Sequence, residues 1–368
     1  MKRKVSDQMK IGISFIIFCA AVVVLFVVLR SKKTQGADSF ELLRERYPML
    51  KSISSEASFS LPCLSETQVG DEICSAMIPQ GVCTADQYIL ITAYCGADKY
   101  RDSLRHVGAH STNKKILAQE KDHVTHNSVI YVLAKSSGRY LTTIVLPDQN
   151  HVGGIAFDGE NIWIAKSTDN ELSVLPKSVI DAAVLSGEKS YTVGCYAKNI
   201  SVSSKASFVY TYDGQIWIGV CTSKDVGLGM VRGYDIEGSL EAGDLSLRQV
   251  HQLSVPAYAN GAAMAEMDGK LYLAVNVNKG RLKNGSVELF CVTLSEDEMK
   301  GETSFVSSRQ LPPLPEDICV DGDKVYTIFE AGAAAYSNVV GFRCHAVVDR
   351  CCVGSLQDWF FDGRQLTF

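Results

Sequence analysis

The stretch His151–Ser167, HVGGIAFDGENIWIAKS, reads as a short strand, an Asp-Gly turn and a second strand with an aromatic between two aliphatics. Branched and aromatic side chains suit a pleated, half-buried surface. Asp-Gly suits a tight hairpin, because the turn needs positive φ and glycine adopts it without steric cost. The second strand recurs. Ile162-Trp163-Ile164 returns as Ile216-Trp217-Ile218, Leu271-Tyr272-Leu273 and Val325-Tyr326-Thr327, with an earlier copy at Ile89-Leu90-Ile91. The central residues stand at 90, 163, 217, 272 and 326, so the last three intervals are 54, 55 and 54 residues and the first is 73. The turns keep step at Asp158-Gly159, Asp213-Gly214, Asp268-Gly269 and Asp321-Gly322, while the first copy keeps only Asp86.

Two further strands follow in each unit. The third strands are expected at Ser128–Ala134, Glu171–Pro176, Met230–Ile236, Val287–Leu294 and Val339–Val347. The fourth are expected at Tyr140–Leu146, Ser190–Tyr196, Leu247–Val255, Ser304–Leu311 and Cys352–Phe360. Units of four antiparallel strands repeated radially leave only short, protected sheet edges. The expected fold is all-β, a five-bladed β-propeller. A sixth blade drawn from residues 50–78 and a β-sandwich are the alternatives. Over residues 79–360 the units resemble propellers of the NHL and gluconolactonase-like kind, in architecture only. No Trp-Asp repeat, Tyr-Trp-Thr-Asp repeat or Asp-box is present, so the resemblance implies no functional residues.

Upstream, Ile11–Leu29 is an uncharged run of nineteen residues. As a helix it would span about 28 Å, close to the hydrocarbon thickness of a bilayer. It is too long for the apolar core of a cleaved signal peptide and is followed by Arg30, Lys32 and Lys33. The expected organisation is a cytoplasmic tail at 1–10, a transmembrane helix at 11–29, a stalk at 30–78 and the propeller at 79–368. Within the stalk, Ser39 could cap a short helix with Phe40, Leu43, Tyr47 and Leu50 on one side. Basic residues flank the run on both sides, with a slight excess before it, which favours an extracytoplasmic C-terminal domain on a single-pass cell-membrane protein. Two sequons, at Asn199 and Asn284, and twelve cysteines without a Cys-x-x-Cys pair fit that side of the membrane. Among the cysteines, Cys63, Cys74, Cys83 and Cys95 could staple the stalk to the propeller by disulfides. The net charge of −5 carries no electrostatic footprint for nucleic acid.

In a propeller the loops that lead into the innermost strands share one face with the loops between second and third strands. The expected ligand-binding mouth is therefore lined by Gln80, Tyr94, His151, Lys166, Ser207, Asn260, Asn276, Glu316 and Glu330. Glycine at 153 leaves room in the second unit. The long loop of the first unit carries His106, His110, His123 and His126, along with Lys and Arg residues, and could form a lid. No catalytic residue or metal-ligand set is assigned. Ca or Zn is the candidate cofactor, the hard cation through Glu316, Asn260, Gln80 and His151, and zinc through the loop histidines. The leading expectation is a membrane-anchored binding or interaction module whose partner is an extracellular glycan or protein. The alternative is a metal-assisted hydrolase or lyase at the mouth, with His151 and Glu316 as base and electrostatic partner. A purely structural envelope protein is the third.

Overall fold

The computed structural model describes residues 39–54, 56–97, 125–295, 299–337 and 343–361. The expected tail and anchor, 1–10 and 11–29, lie outside the described residues, as do His106, His110 and His123. Among the described residues no helix is long and apolar enough to cross a membrane.

Three short strands come first: β1 (Phe59–Ser60), β2 (Thr67–Val69) and β3 (Glu72–Cys74). Blade one follows as β4 (Met77–Ala85), β5 (Tyr88–Cys95), β6 (Val129–Ala134) and β7 (Tyr140–Val145). Blade two is β8 (Val152–Phe157), β9 (Asn161–Lys166), β10 (Glu171–Pro176) and β12 (Lys198–Ser201), while β11 (Ser190–Thr192) pairs in parallel with β7 of blade one. Blade three is β13 (Phe208–Tyr212), β14 (Gln215–Val220), β15 (Gly229–Glu237) and β16 (Ser246–Val255). Blade four is β17 (Ala259–Met267), β18 (Lys270–Val277), β19 (Gly285–Thr293) and β20 (Glu302–Leu311). Blade five is β21 (Pro315–Asp321), β22 (Lys324–Phe329), β23 (Arg350–Ser355) and, outermost, β1. The innermost strands pack in a ring, β4 on β8, β8 on β13, β13 on β17, β17 on β21, and β21 back on β4. This is the five-bladed propeller that the Asp-Gly spacing implies. The turns at Asp213-Gly214 and Asp268-Gly269 hold both residues at positive φ, between 51° and 71°.

A ring of five blades brings the inner backbones very close. A Cβ on Gly81 would lie 2.7 Å from the Cα of Gly154, and one on Gly154 would lie 2.6 Å from the amide nitrogen of Val209. These two glycines are therefore spacers between blades one, two and three. Further out, Phe208 covers Gly219 and Trp217 covers Gly233 across the strand pairs, so an aromatic fills the space each glycine leaves.

Blade five departs from expectation. Its third strand is β23, and Val339–Val347 is not a strand among its described residues. The run from Gly332 to Ala335 has no branched side chain and forms a helical turn at Ala334–Ser337 instead. The expected fourth strand, Cys352–Phe360, breaks after Ser355. The Ser355 hydroxyl accepts from the Asp358 amide at 3.1 Å and donates to its carboxylate at 2.8 Å, starting the helix Leu356–Phe361. In blade two the fourth strand is β12, not Ser190–Tyr196. The helix Lys177–Ser186, which buries Ile180 and Ala183, intervenes.

The stretch expected as a stalk or a sixth blade is part of the propeller body. The helix Phe40–Arg46 and the turn after it bury Phe40, Leu43, Tyr47, Met49, Leu50 and Ile53 in the core. Tyr47 donates its hydroxyl to Asn284 Oδ1 at 2.9 Å, and the Arg350 guanidinium lies over the Phe40 ring. The β2–β3 hairpin lies against blade one, where Thr67 bonds the Tyr131 hydroxyl. The expected disulfide staple is absent: among the described residues no two cysteines stand at disulfide bonding distance. Cys74 and Cys95 come nearest to it at 3.5 Å between sulfurs, well beyond the bond length of about 2.05 Å.

Candidate functional site

At the mouth, where the inner strands begin, side chains join each blade to the next. Ser167 Oγ of blade two donates to the Ser207 carbonyl of blade three at 3.2 Å, and Ser207 Oγ accepts from the Cys221 amide at 3.0 Å. The Cys221 thiol donates to Asn260 Oδ1 of blade four at 3.1 Å, and Asn260 Nδ2 donates to Glu316 Oε2 of blade five at 2.8 Å. Gln80 Nε2 of blade one donates to Glu330 Oε1 of blade five at 2.8 Å. Between blades one and two, the Tyr94 and His151 rings meet edge to face with centroids 4.3 Å apart. The belt runs through all five blades.

Of the expected mouth residues, Gln80, Tyr94, His151, Ser207, Asn260, Glu316 and Glu330 belong to this belt. Two lie elsewhere. Lys166 is buried in a cluster, with its ammonium 3.2 Å from Asp148, 3.0 Å from Glu171 and 4.8 Å from the centre of the Tyr196 ring. Successive residues of a strand face opposite ways, so Ser167, one place on, reaches the mouth. Asn276 lies one layer down, where its amide donates to Thr327 Oγ1 at 2.9 Å and to the Asp317 carbonyl at 3.2 Å. Two places on, Asn278 donates to Glu316 Oε2 at 3.1 Å. Gly153 leaves room that is already filled: a Cβ there would collide with Ser167 Oγ and the Ser207 carbonyl. The only described histidine of the lid loop, His126, faces Cys95 and Glu72 instead.

Beneath the belt, Asp317 closes the ring. Its Oδ2 accepts from the Val82 amide at 2.9 Å, tying blade five to blade one, and Oδ1 accepts from the Ile318 amide. Burial pushes this carboxyl well above the usual carboxylate range, and the two amide hydrogens pull against that.

The electrostatics of the mouth are set by blade five. Glu316 and Glu330 are 4% and 6% exposed. Burial, then the charge of Glu330, raises the Tyr94 phenol, with Tyr336 and Glu316 adding to it. The Tyr336 phenol rises for the same first two reasons. Burial raises the Cys221 thiol to about 11, with Glu316 reinforcing it and Lys205 opposing. The phenols and the thiol are therefore neutral near pH 7. Arg281 lies 4.9 Å over the Tyr336 ring at the rim. Tyr336, Arg281, Asn278 and Ser167 were not legible as mouth residues. Tyr336 sits in the short helical turn Ala334–Ser337 and Arg281 in a loop, neither with a periodicity to read, and the last two are one or two places from residues that were singled out.

Two cavities, of about 330 and 380 Å³, open at the other end of the channel near the hairpin turns. The first is lined largely by inner-strand residues such as Ile155, Ala156, Ala263 and Met264, with Asp86, Lys135 and Asp321 at its edge. The mouth is the stronger candidate, because buried ionisable and aromatic groups converge there.

Fold and site together define a five-bladed β-propeller with an acidic, hydrogen-bonded mouth. No family model matches the chain, and no curated protein matches it. Among solved structures it is similar to a glutaminyl cyclase from Myxococcus xanthus, with 9% identity and a TM-score of 0.38 over 81% of this chain and 97% of that one. It is similar to an exo-β-1,3-galactanase from Phanerochaete chrysosporium, with 8% identity and a TM-score of 0.44 over 82% and 65%. A nidogen/laminin complex gives 12% identity and a TM-score of 0.36 over 72% and 84%. No residue, ligand or activity is carried over from them.

Proposed function

We propose that this protein is a membrane-anchored propeller that binds a neutral glycan at its mouth on the extracytoplasmic side. The carrying observation is the pair of nearly buried carboxylates, Glu316 and Glu330, set in an amide-rich belt beside the Tyr94, Tyr336 and His151 rings. Carboxylates accept strong hydrogen bonds from hydroxyl groups, and ring faces pack against the apolar face of a sugar. Glu316 and Glu330 favour a ligand rich in hydroxyl donors, with Arg281 and Lys205 the cations that offset them at the mouth. The anchor rests on the uncharged run Ile11–Leu29, and the extracytoplasmic side on the basic flanks and the two sequons, since no two described cysteines stand at disulfide bonding distance.

The test is a glycan-array screen with the full chain, followed by calorimetry on the best neutral oligosaccharide. Glu316→Gln/Glu330→Gln is expected to bind at least tenfold more weakly, since a hydrogen bond to a charged group contributes about 1.5–3 kcal/mol. Undiminished binding by the double variant would remove the mouth from the account, and capture of a protein in place of any glycan would replace the ligand class. A second reading, a metal-assisted hydrolase or lyase, is favoured by the same carboxylate pair. It predicts that the bound oligosaccharide is cleaved over time and that the double variant abolishes cleavage.

A further inference from the structure

The β2–β3 hairpin meets blade one through Cys74, Cys95 and His126, brought together from three separate points of the chain. Cys74 ends β3, Cys95 ends β5, and His126 precedes β6. One ligand atom from each lies within 4.8 Å of the other two. The Sγ atoms of Cys74 and Cys95 are 3.5 Å apart, and Cys95 Sγ is 3.8 Å from His126 Nδ1. A tetrahedral zinc with bonds of about 2.3 Å to sulfur and about 2.0–2.1 Å to nitrogen requires edges of about 3.8 Å between sulfurs and about 3.6 Å between sulfur and nitrogen. The observed spacings are within about 0.3 Å of both. They are some 1.5 Å too long for a disulfide.

The surroundings fit the same ion. His126 Nε2 lies 3.3 Å from a Glu72 carboxylate oxygen, so the ring is held with Nδ1 toward the sulfurs. A carboxylate behind a ligating imidazole is the usual outer partner of a zinc histidine. Cys74 and Cys95 are buried and His126 is nearly so, whereas Glu72 faces solvent. Two thiolates and a divalent cation sum to zero charge, which suits a buried place. Two soft sulfurs and one imidazole select zinc over calcium or magnesium.

We propose that Cys74, Cys95 and His126 bind one zinc ion that pins the β2–β3 hairpin to the mouth end of blade one. On loading, the two thiols lose their protons to solvent, two Zn–S bonds and one Zn–N bond form in place of bonds to water of the hydrated ion, one water keeps the fourth position, and nothing is oxidised or reduced. The role is structural and separate from the glycan mouth: Cys95 and Tyr94 are neighbours on β5 and face opposite ways.

The experiment is metal analysis of the full chain purified with zinc present and dialysed against metal-free buffer. One zinc per chain is expected, reduced at least tenfold in Cys95→Ser and in His126→Gln and retained in the control Cys63→Ser. Cobalt substitution should give a thiolate-to-cobalt charge-transfer band that both ligand variants lose. A strong chelator should lower the melting temperature, with zinc but not calcium restoring it. Three results would overturn the proposal: no zinc in the folded wild-type chain, full zinc retention in His126→Gln, or recovery of Cys74 and Cys95 as a disulfide-linked peptide. His126→Gln removes a partly exposed side chain, so it remains informative if Cys95→Ser does not fold.

Discussion

A chain that starts at Ser65 is expected not to fold, whereas one that starts at Ala37 is expected to unfold in a single cooperative step. The shorter chain keeps all four strands of blades one to four and three of blade five, together with the β2–β3 hairpin. It loses β1 and the segment that buries Leu43, Tyr47, Leu50 and Ile53 almost completely. Burial of each such side chain stabilises by about 1.5–3 kcal/mol, so the four together contribute roughly 6–12 kcal/mol. That rivals the whole stability of an ordinary domain, about 5–15 kcal/mol. The loss also strips the outer edge of β23, where Phe59 and Ser60 pair with Cys351 and Arg350, and leaves an open strand edge that recruits other chains. Circular dichroism melts and size-exclusion chromatography check this. A monomeric, cooperatively melting chain starting at Ser65 would show that the segment is an appendage.

Gly154→Val is expected to prevent folding or to lower the melting temperature by more than about 6 °C, the equivalent of at least about 3 kcal/mol at about 2–4 °C per kcal/mol. The added Cβ would lie 2.6 Å from the Val209 nitrogen and 2.8 Å from the Phe208 Cα. Both are backbone atoms of β13, which is itself packed against β17, so the neighbour cannot retreat without opening the ring. Gly194→Val is the control, because nothing lies within 4 Å of its added Cβ. Its melting temperature should match the wild type. Equal stability of the two variants, measured by thermal denaturation, would mean that the inner strands are not closely packed.

The features legible in the sequence were those that repeat. Asp-Gly turns and Ile-Trp-Ile strands recur because each blade needs the same tight hairpin around the same buried middle strand. The closing strand did not declare itself. Phe59 and Ser60 form a two-residue pairing with no alternation to read, and their partner β23 is nearly three hundred positions away. Blade five was misplaced because Ser355 can end a strand and cap a helix at once, and residue type does not say which. At the mouth, Gln80, Asn260 and Glu316 were legible because they lie within the first few residues of inner strands, a position fixed by topology. Lys166 was misassigned by one residue, which in a strand reverses the face. The Cys74, Cys95 and His126 cluster has no local spacing, since the fold alone brings its members together.

The central claim is that ligand meets this propeller at the mouth of blade five. Its most direct test is the location of a bound neutral oligosaccharide in a crystal structure of the complex. Sugar hydroxyls within hydrogen-bond distance of Glu316 and Glu330, with a ring against Tyr94, Tyr336 or His151, are the expected result. Sugar bound instead in the cavity at the hairpin end of the channel, or along a blade edge, would contradict it.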